Sequence, residues 1–185
     1  MTVSGNTTIT MPYTHIEADF SSIKEGTLTV NAPNATVKKF KWSVVDSGDD
    51  NVIVTLKYKG CTTVDEIKAV DANYKTTDIV DGVWCEWLGD LTDGTSMFNG
   101  NTGLISFTSN LSSLTNGLNM FKDCSNLESF SSDLPSLTKG RCMFEYCSKL
   151  TSFNSNLSSL TDGYWMFGGT KITSFNDDLS TLTNG

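Results

Sequence analysis

Gly140–Phe153 reads GRCMFEYCSKLTSF, and Gly117–Phe130 reads GLNMFKDCSNLESF. The two stretches agree at the Gly, the Met-Phe pair, a Cys-Ser pair, a Leu and the closing Ser-Phe, with an offset of 140 − 117 = 23 residues. The same frame extends both ways. Met-Phe recurs as Met97-Phe98, Met120-Phe121, Met143-Phe144 and Met166-Phe167, and Ser-Phe as Ser106-Phe107, Ser129-Phe130, Ser152-Phe153 and Ser174-Phe175. Gly94, Gly117, Gly140, Gly163 and Gly185 punctuate it, and the pairs Leu111/Leu114, Leu134/Leu137, Leu157/Leu160 and Leu179/Leu182 complete it. Several independent positions repeating in phase define four copies across residues 94–185.

A unit of 22–23 residues is too short to enclose a core. Each copy has to bury its apolar positions against its neighbours, which predicts a solenoid. The predicted interior is Met97, Phe98, Phe107, Met120, Phe121, Cys124, Phe130, Met143, Phe144, Cys147, Phe153, Met166, Phe167 and Phe175. Leu104, Leu127, Leu150 and Ile172 would each open a short strand ending at the Phe. The repeated Gly would sit in a tight turn at positive φ, and the Leu-x-Ser-Leu-Thr segment would return as a second short strand.

These runs resemble the BspA-like (Treponema pallidum-type) leucine-rich repeats: a Gly, an apolar-Phe pair, a Cys, then Ser-x-Leu before Ser and an apolar residue. The resemblance covers about residues 90–185. It implies a leucine-rich-repeat fold and a surface-exposed adhesion module. The first copy departs from the pattern with Asn101 in place of Cys, and the fourth carries Gly168-Gly169-Thr170 and one residue fewer.

Cys124 and Cys147 hold one repeat position, 23 residues apart, and are read as inward-facing and reduced. Buried free Cys behaves as a small hydrophobe. Zinc is disfavoured, because C-x-x-C pairs are absent and His15 is the only histidine. A disulfide between stacked Cys124 and Cys147 is the alternative. Five cysteines, an odd number, argue against a complete disulfide framework.

Residues 1–78 lack the repeat and predict a small β-rich domain that serves as the anchoring end. Segments 26–32, 36–45 and 51–60 read as strands, the last two forming a hairpin across the turn at 47–51. Thr63-Val-Asp-Glu66 is a capping box that opens one short helix, and His15 falls in a segment expected to be flexible. Residues 79–93 are the predicted N-terminal cap of the solenoid, with Trp84, Trp87 and Cys85 covering its first rung. An aromatic ligand platform is the other reading of the two tryptophans. The fold class is therefore mainly β, a small β-rich N-terminal domain (1–78) followed by a leucine-rich-repeat solenoid of 22–23-residue coils (94–185). The last copy is as apolar as the others, which predicts that more repeats or another chain cover it.

Composition bounds the function. The chain carries a net charge of −8 with only 18% charged residues, a poor partner for phosphate backbones, so no nucleic acid is expected. No apolar run is long enough to cross a bilayer, and no signal peptide is visible at the N-terminus. No catalytic motif is present, so the reading is non-enzymatic, with no cofactor, metal or catalytic residue. Asp49/Asp50, Asp65/Glu66 and Asp177/Asp178 read as solvated turns and caps; calcium at Asp49 and Asp50 would lack the usual loop pattern. The expected role is an externally displayed fibre or decoration subunit of a bacteriophage virion. A protein partner would meet the N-terminal domain, a protein or glycan receptor would meet the repeats, and the chain could form a homo-oligomer. A bacterial cell-surface or secreted adhesin and an intracellular interaction scaffold are the alternatives.

Overall fold

A computed structural model of the chain describes the backbone of six strands within residues 6–54, and residues 57–84, 86–173 and 179–185 with their side chains. Phe175, Cys85, Asp49, Asp50, Asp177, Asp178 and the turn at 47–50 lie outside the described residues. The described chain is β-rich, with helix confined to two short pieces.

The first six strands are β1 (Asn6–Thr10), β2 (His15–Ala18), β3 (Thr27–Asn31), β4 (Val37–Phe40), β5 (Val44–Asp46) and β6 (Asn51–Val54). They form a sheet of order β1-β3-β6-β5 and a separate parallel pair, β2 with β4. The expected hairpin is present as β5 with β6, antiparallel, Asp46 opposite Val52. Three expectations are corrected. Residues 36–45 are two strands in two sheets, because the period-2 pattern that marks a strand is the same whichever sheet it joins. β6 ends at Val54, and Tyr58 instead enters the core of the repeats, its ring 6.2 Å from Trp84. His15, expected in a flexible segment, opens β2, which pairs with β4.

Residues 57–84 pack directly on the first copy. Helix α1 (Val64–Val70) starts with the anticipated capping box: Glu66 N–H donates to Thr63 Oγ1 at 3.4 Å, and Glu66 Oε2 accepts from Thr63 N–H at 3.0 Å. Its one fully buried side chain is Ile67. A second helix, α2 (Tyr74–Thr77), was not expected; it places the Tyr74 ring in the core, where its hydroxyl donates to the Met97 carbonyl. β7 (Ile79–Val80) and β8 (Val83–Trp84) form a hairpin through Asp81 and Gly82, at φ 51° and 80°. Both central residues are left-handed, as a type I′ turn demands.

From β8 onward, copies stack in parallel. Val83 pairs with Ser106 of β9 (Ser106–Phe107), and Ser106 with Ser129 of β10 (Ser129–Phe130). The third copy forms no strand at 152–153. The expected second strand is reduced to single parallel bridges, Thr63–Asp93–Asn116–Lys139–Asp162–Asn184. Along this seam Thr92, Thr115, Thr138 and Thr161 each offer a carbonyl to the backbone N–H and the Thr hydroxyl of the following copy, for example Thr138 Oγ1 to Thr115 O at 3.0 Å. A third seam joins the Met-Phe turns, with Phe98, Phe121 and Phe144 N–H donating to Met120, Met143 and Met166 carbonyls at 2.8 Å. Two of these seams run through all four copies and the Ser-Phe pairing joins the first two; together they satisfy much of the backbone that each unit's interior removes from water.

One core runs unbroken from Tyr58 to Met166. It is continuous across residues 78 and 79, so Tyr58, Ile67 and Tyr74 share it with the repeats. Two aromatic columns form its axis. Trp84, Phe107, Phe130 and Phe153 stack at 6.5, 5.6 and 5.7 Å, while Phe98, Phe121, Phe144 and Phe167 stack at 5.2, 5.3 and 5.6 Å. Between the columns the rings meet edge to face, a favoured arrangement of aromatic quadrupoles.

The repeated glycines are not at positive φ. A Cβ at Gly94, Gly117 or Gly140 would stand 2.7, 2.8 or 3.0 Å from the Sδ of Met120, Met143 or Met166 in the next copy. Each Gly is a seat for the following methionine. The left-handed residues fall two and six positions later: Ser96, Asn119, Cys142 and Trp165, then Gly100, Asp123, Tyr146 and Gly169.

Candidate functional site

The residues singled out from the repeat are interior. Met97, Phe98, Phe107, Met120, Phe121, Cys124, Phe130, Met143, Phe144, Cys147, Phe153 and Met166 are buried, and Phe167 is partly so. They hold the copies together and offer nothing to a ligand. Cys124 Sγ donates to Phe98 O and Cys147 Sγ to Phe121 O, each at 3.1 Å, one copy back. Both are free thiols, as are Cys61 and Cys142. Burial pushes the Cys124 thiol up to about 12 and raises that of Cys147 as well.

The aromatic-platform reading of Trp84 and Trp87 is overturned. Both are buried. The Trp84 indole N–H donates to Glu86 O at 2.6 Å, and its ring stands between Tyr58 and Phe107. The Trp87 ring lies against Gly89, where a Cβ would come within 2.0 Å of it.

The rings that face solvent are elsewhere. Tyr146, Tyr164 and Trp165, at 49%, 38% and 53% exposure, are the exposed large aromatics of the described residues. All three belong to the Met-Phe turns of the third and fourth copies. Trp165 follows Tyr164 with ring centroids 6.2 Å apart and planes 28° from parallel. Arg141, the one arginine of the chain, lies 4.7 Å from the Tyr164 ring centre. Gly168 and Gly169 form a bare backbone floor: a Cβ at Gly169 would meet the Tyr146 ring at 2.7 Å, and one at Gly168 the Trp165 ring at 3.1 Å. Lys122 also approaches Tyr146, at 6.0 Å, but its ammonium is bound to Glu145 at 2.6 Å. That pairing raises the Lys122 pKa and lowers that of Glu145.

Tyr146 and Trp165 hold φ of 60° and 54°. Left-handed backbone costs a bulky L-residue about 1–2 kcal/mol. The positions equivalent to Tyr146 carry Gly100, Asp123 and Gly169, and those equivalent to Trp165 carry Ser96, Asn119 and Cys142; of these Gly, Asp and Asn tolerate it best. Two aromatic side chains thus stay in a costly conformation while about half of each remains exposed. Sequence reasoning missed them because they vary between copies, and attention to the repeat selects what does not vary. The usable signal was the presence of Tyr146 and Trp165 at turn positions that elsewhere carry Gly, Asp, Ser, Asn or Cys, with Tyr164 directly beside Trp165.

Two other features mark the surface. Ser129–Asp133, with Ser152 and Asn154, lines a shallow polar groove of about 310 Å³ beside β10. An apolar recess of about 210 Å³ opens on the outer face of the fourth copy, walled by Leu160, Gly163, Met166 and Leu182. Among the described residues, no three His, Cys, Asp or Glu side chains gather where a metal could be held. Nor is any described helix long and apolar enough to cross a membrane. No family model, curated protein or solved structure matches the chain.

Proposed function

We infer that the protein is a non-enzymatic display and recognition protein. Residues 94–185 would form a leucine-rich-repeat solenoid of the BspA-like kind, and the N-terminal strands would anchor it. The best-supported setting is the exterior of a bacteriophage virion, as a fibre or decoration subunit. One observation carries the reading: the recurring apolar positions of the described copies are buried or partly buried in the stack, whereas varying positions of the third and fourth copies present solvent-facing aromatic rings, two of them in left-handed backbone. A stack that is uniform inside and individual outside suits a rigid support for a recognition surface. The two hydrogen-bonded seams that run through all four copies give that support stiffness.

The test is immunogold labelling of the parent particles, with antibodies raised against residues 94–185. Label on the exterior of intact virions supports the reading. Label confined to the host-cell interior, with bare particles, overturns it. Label on the bacterial envelope would favour the adhesin alternative.

A further inference from the structure

We propose that Arg141, Tyr164, Trp165 and Tyr146, around the Gly168-Gly169 floor, form a binding site for an acidic glycan, with a uronate ring stacked on the aromatics and its carboxylate on Arg141. The proposal rests on the display reading for the idea that the repeats meet a receptor, and adds where the receptor binds and what chemistry it presents.

The occupant follows from the chemistry of the face. Its rings are exposed by roughly half, and a fully buried aromatic contributes only about 150–250 Å². Three such rings fall well short of the roughly 1,200–2,000 Å² that a stable protein interface buries. They match the flat C–H face of one or two pyranose rings, whose weakly positive hydrogens sit well on a negative π-surface. The surrounding turns are polar, so an extended apolar peptide finds no continuation. Gly168 and Gly169 leave open backbone beside the Trp165 and Tyr146 rings, and any side chain there would collide with them.

Charge selects an acidic sugar over a neutral one. Arg141 pairs with no carboxylate among the described residues and stacks on Tyr164 instead. Its planar guanidinium presents a fork that matches a carboxylate in two parallel hydrogen bonds. Lys122, the other nearby cation, is already neutralised by Glu145. The overall acidity of the chain, −8, opposes long-range attraction of a polyanion, so recognition would depend on close contact and be weak per site. Display in many copies would compensate by avidity.

The experiment is saturation-transfer NMR and calorimetry on the purified protein. The probes are tetragalacturonate, its methyl ester and a hyaluronan tetrasaccharide. Saturable millimolar binding of at least one acidic probe is expected, with signal strongest on the C–H face protons. Trp165→Ala should weaken it by about tenfold or more, one stacked ring's contribution. Arg141→Gln should weaken the free acid but not the ester. Each replaced side chain is exposed, so an unchanged circular-dichroism spectrum and melting midpoint certify the fold. Absence of binding to both acidic probes overturns the proposal, as does equal affinity for the ester or unchanged affinity in Trp165→Ala. These outcomes are separate from the display reading, which stands or falls on where the antibody label lies.

Discussion

At the scale of single residues, the repeat is a lock between a glycine and a methionine. Gly117 is bare because the Sδ of Met143 occupies the place its Cβ would take, at 2.8 Å, with Leu137 closing the other side at 3.3 Å. Met143 is fully buried and has little room to retreat. Gly117→Ala should therefore destabilise by about 1–3 kcal/mol through overpacking. A melting midpoint equal to wild type would refute this. Phe130 stacks on both Phe107 and Phe153, and Phe130→Ala should cost about 3–5 kcal/mol, measured by urea denaturation. The cysteines make a third case. Cys124 and Cys147 are fully buried with raised thiol pKa values, so both should resist alkylation in the native protein and react once it unfolds. Rapid native labelling of either would contradict their placement.

At the scale of elements, the 57–84 unit is fixed to the core by Tyr58 and to itself by a charge cluster. Lys57 reaches Asp71 and Asp78, each at 2.7 Å, and Asp78 accepts the Tyr58 hydroxyl. The hydrogen bond from Lys57, then those from Thr77 and the Asn73 N–H, lower the Asp71 carboxyl from 3.8 to about 2. For Lys57, burial pulls downward, but the two carboxylates outweigh it and the pKa rises above 10.5. The signs follow directly. A depressed Asp71 stabilises the fold above its unfolded pKa, and that contribution disappears as pH falls from 3.8 towards 2. Lys57, raised, stabilises below its unfolded pKa and loses its contribution only in strong alkali. Lys57→Met should thus return the Asp71 titration, followed by carboxyl NMR, towards its ordinary value. It should also remove part of the acid dependence of stability. An Asp71 titration unmoved by Lys57→Met would show the ion pair to be absent in solution.

At the scale of the whole molecule, copies are held chiefly by their neighbours, and the two ends are unequal. The first copy is covered by residues 57–84 through Trp84, Tyr74 and the Thr63–Asp93 bridge. On its outer face the fourth copy presents an apolar recess. Stability in a stack is a sum of copy and interface terms, and among the described residues the second and third copies are bridged on both sides, the fourth to the third. Amide exchange of the purified chain should accordingly be slowest around Asn116 and Lys139 and fastest towards Asn184. Uniform protection along the bridge seam, or a maximum at Asn184, would defeat this picture.

The sequence by itself determined the interior of the repeats. Met97, Phe107, Cys124 and their counterparts were legible because burial against an identical neighbour forces the same residue type to recur at one phase. The capping box at Thr63 and Glu66 was legible because its hydrogen bonds are local. The hairpin at Asp81-Gly82 was equally local and went unread, its Asp-Gly signal overshadowed by the tryptophans beside it. What only the tertiary structure decided are matters of distance between copies. Gly117 is required by a methionine 26 residues ahead, not by its own backbone. Tyr58, expected in a strand, enters a core built by a later part of the chain. The exposed rings of Tyr146, Tyr164 and Trp165 come together only when the third and fourth copies stack, since neither copy alone shows which turn positions share a surface. Periodicity reports what every copy must bury; it is silent about what one copy alone presents to solvent.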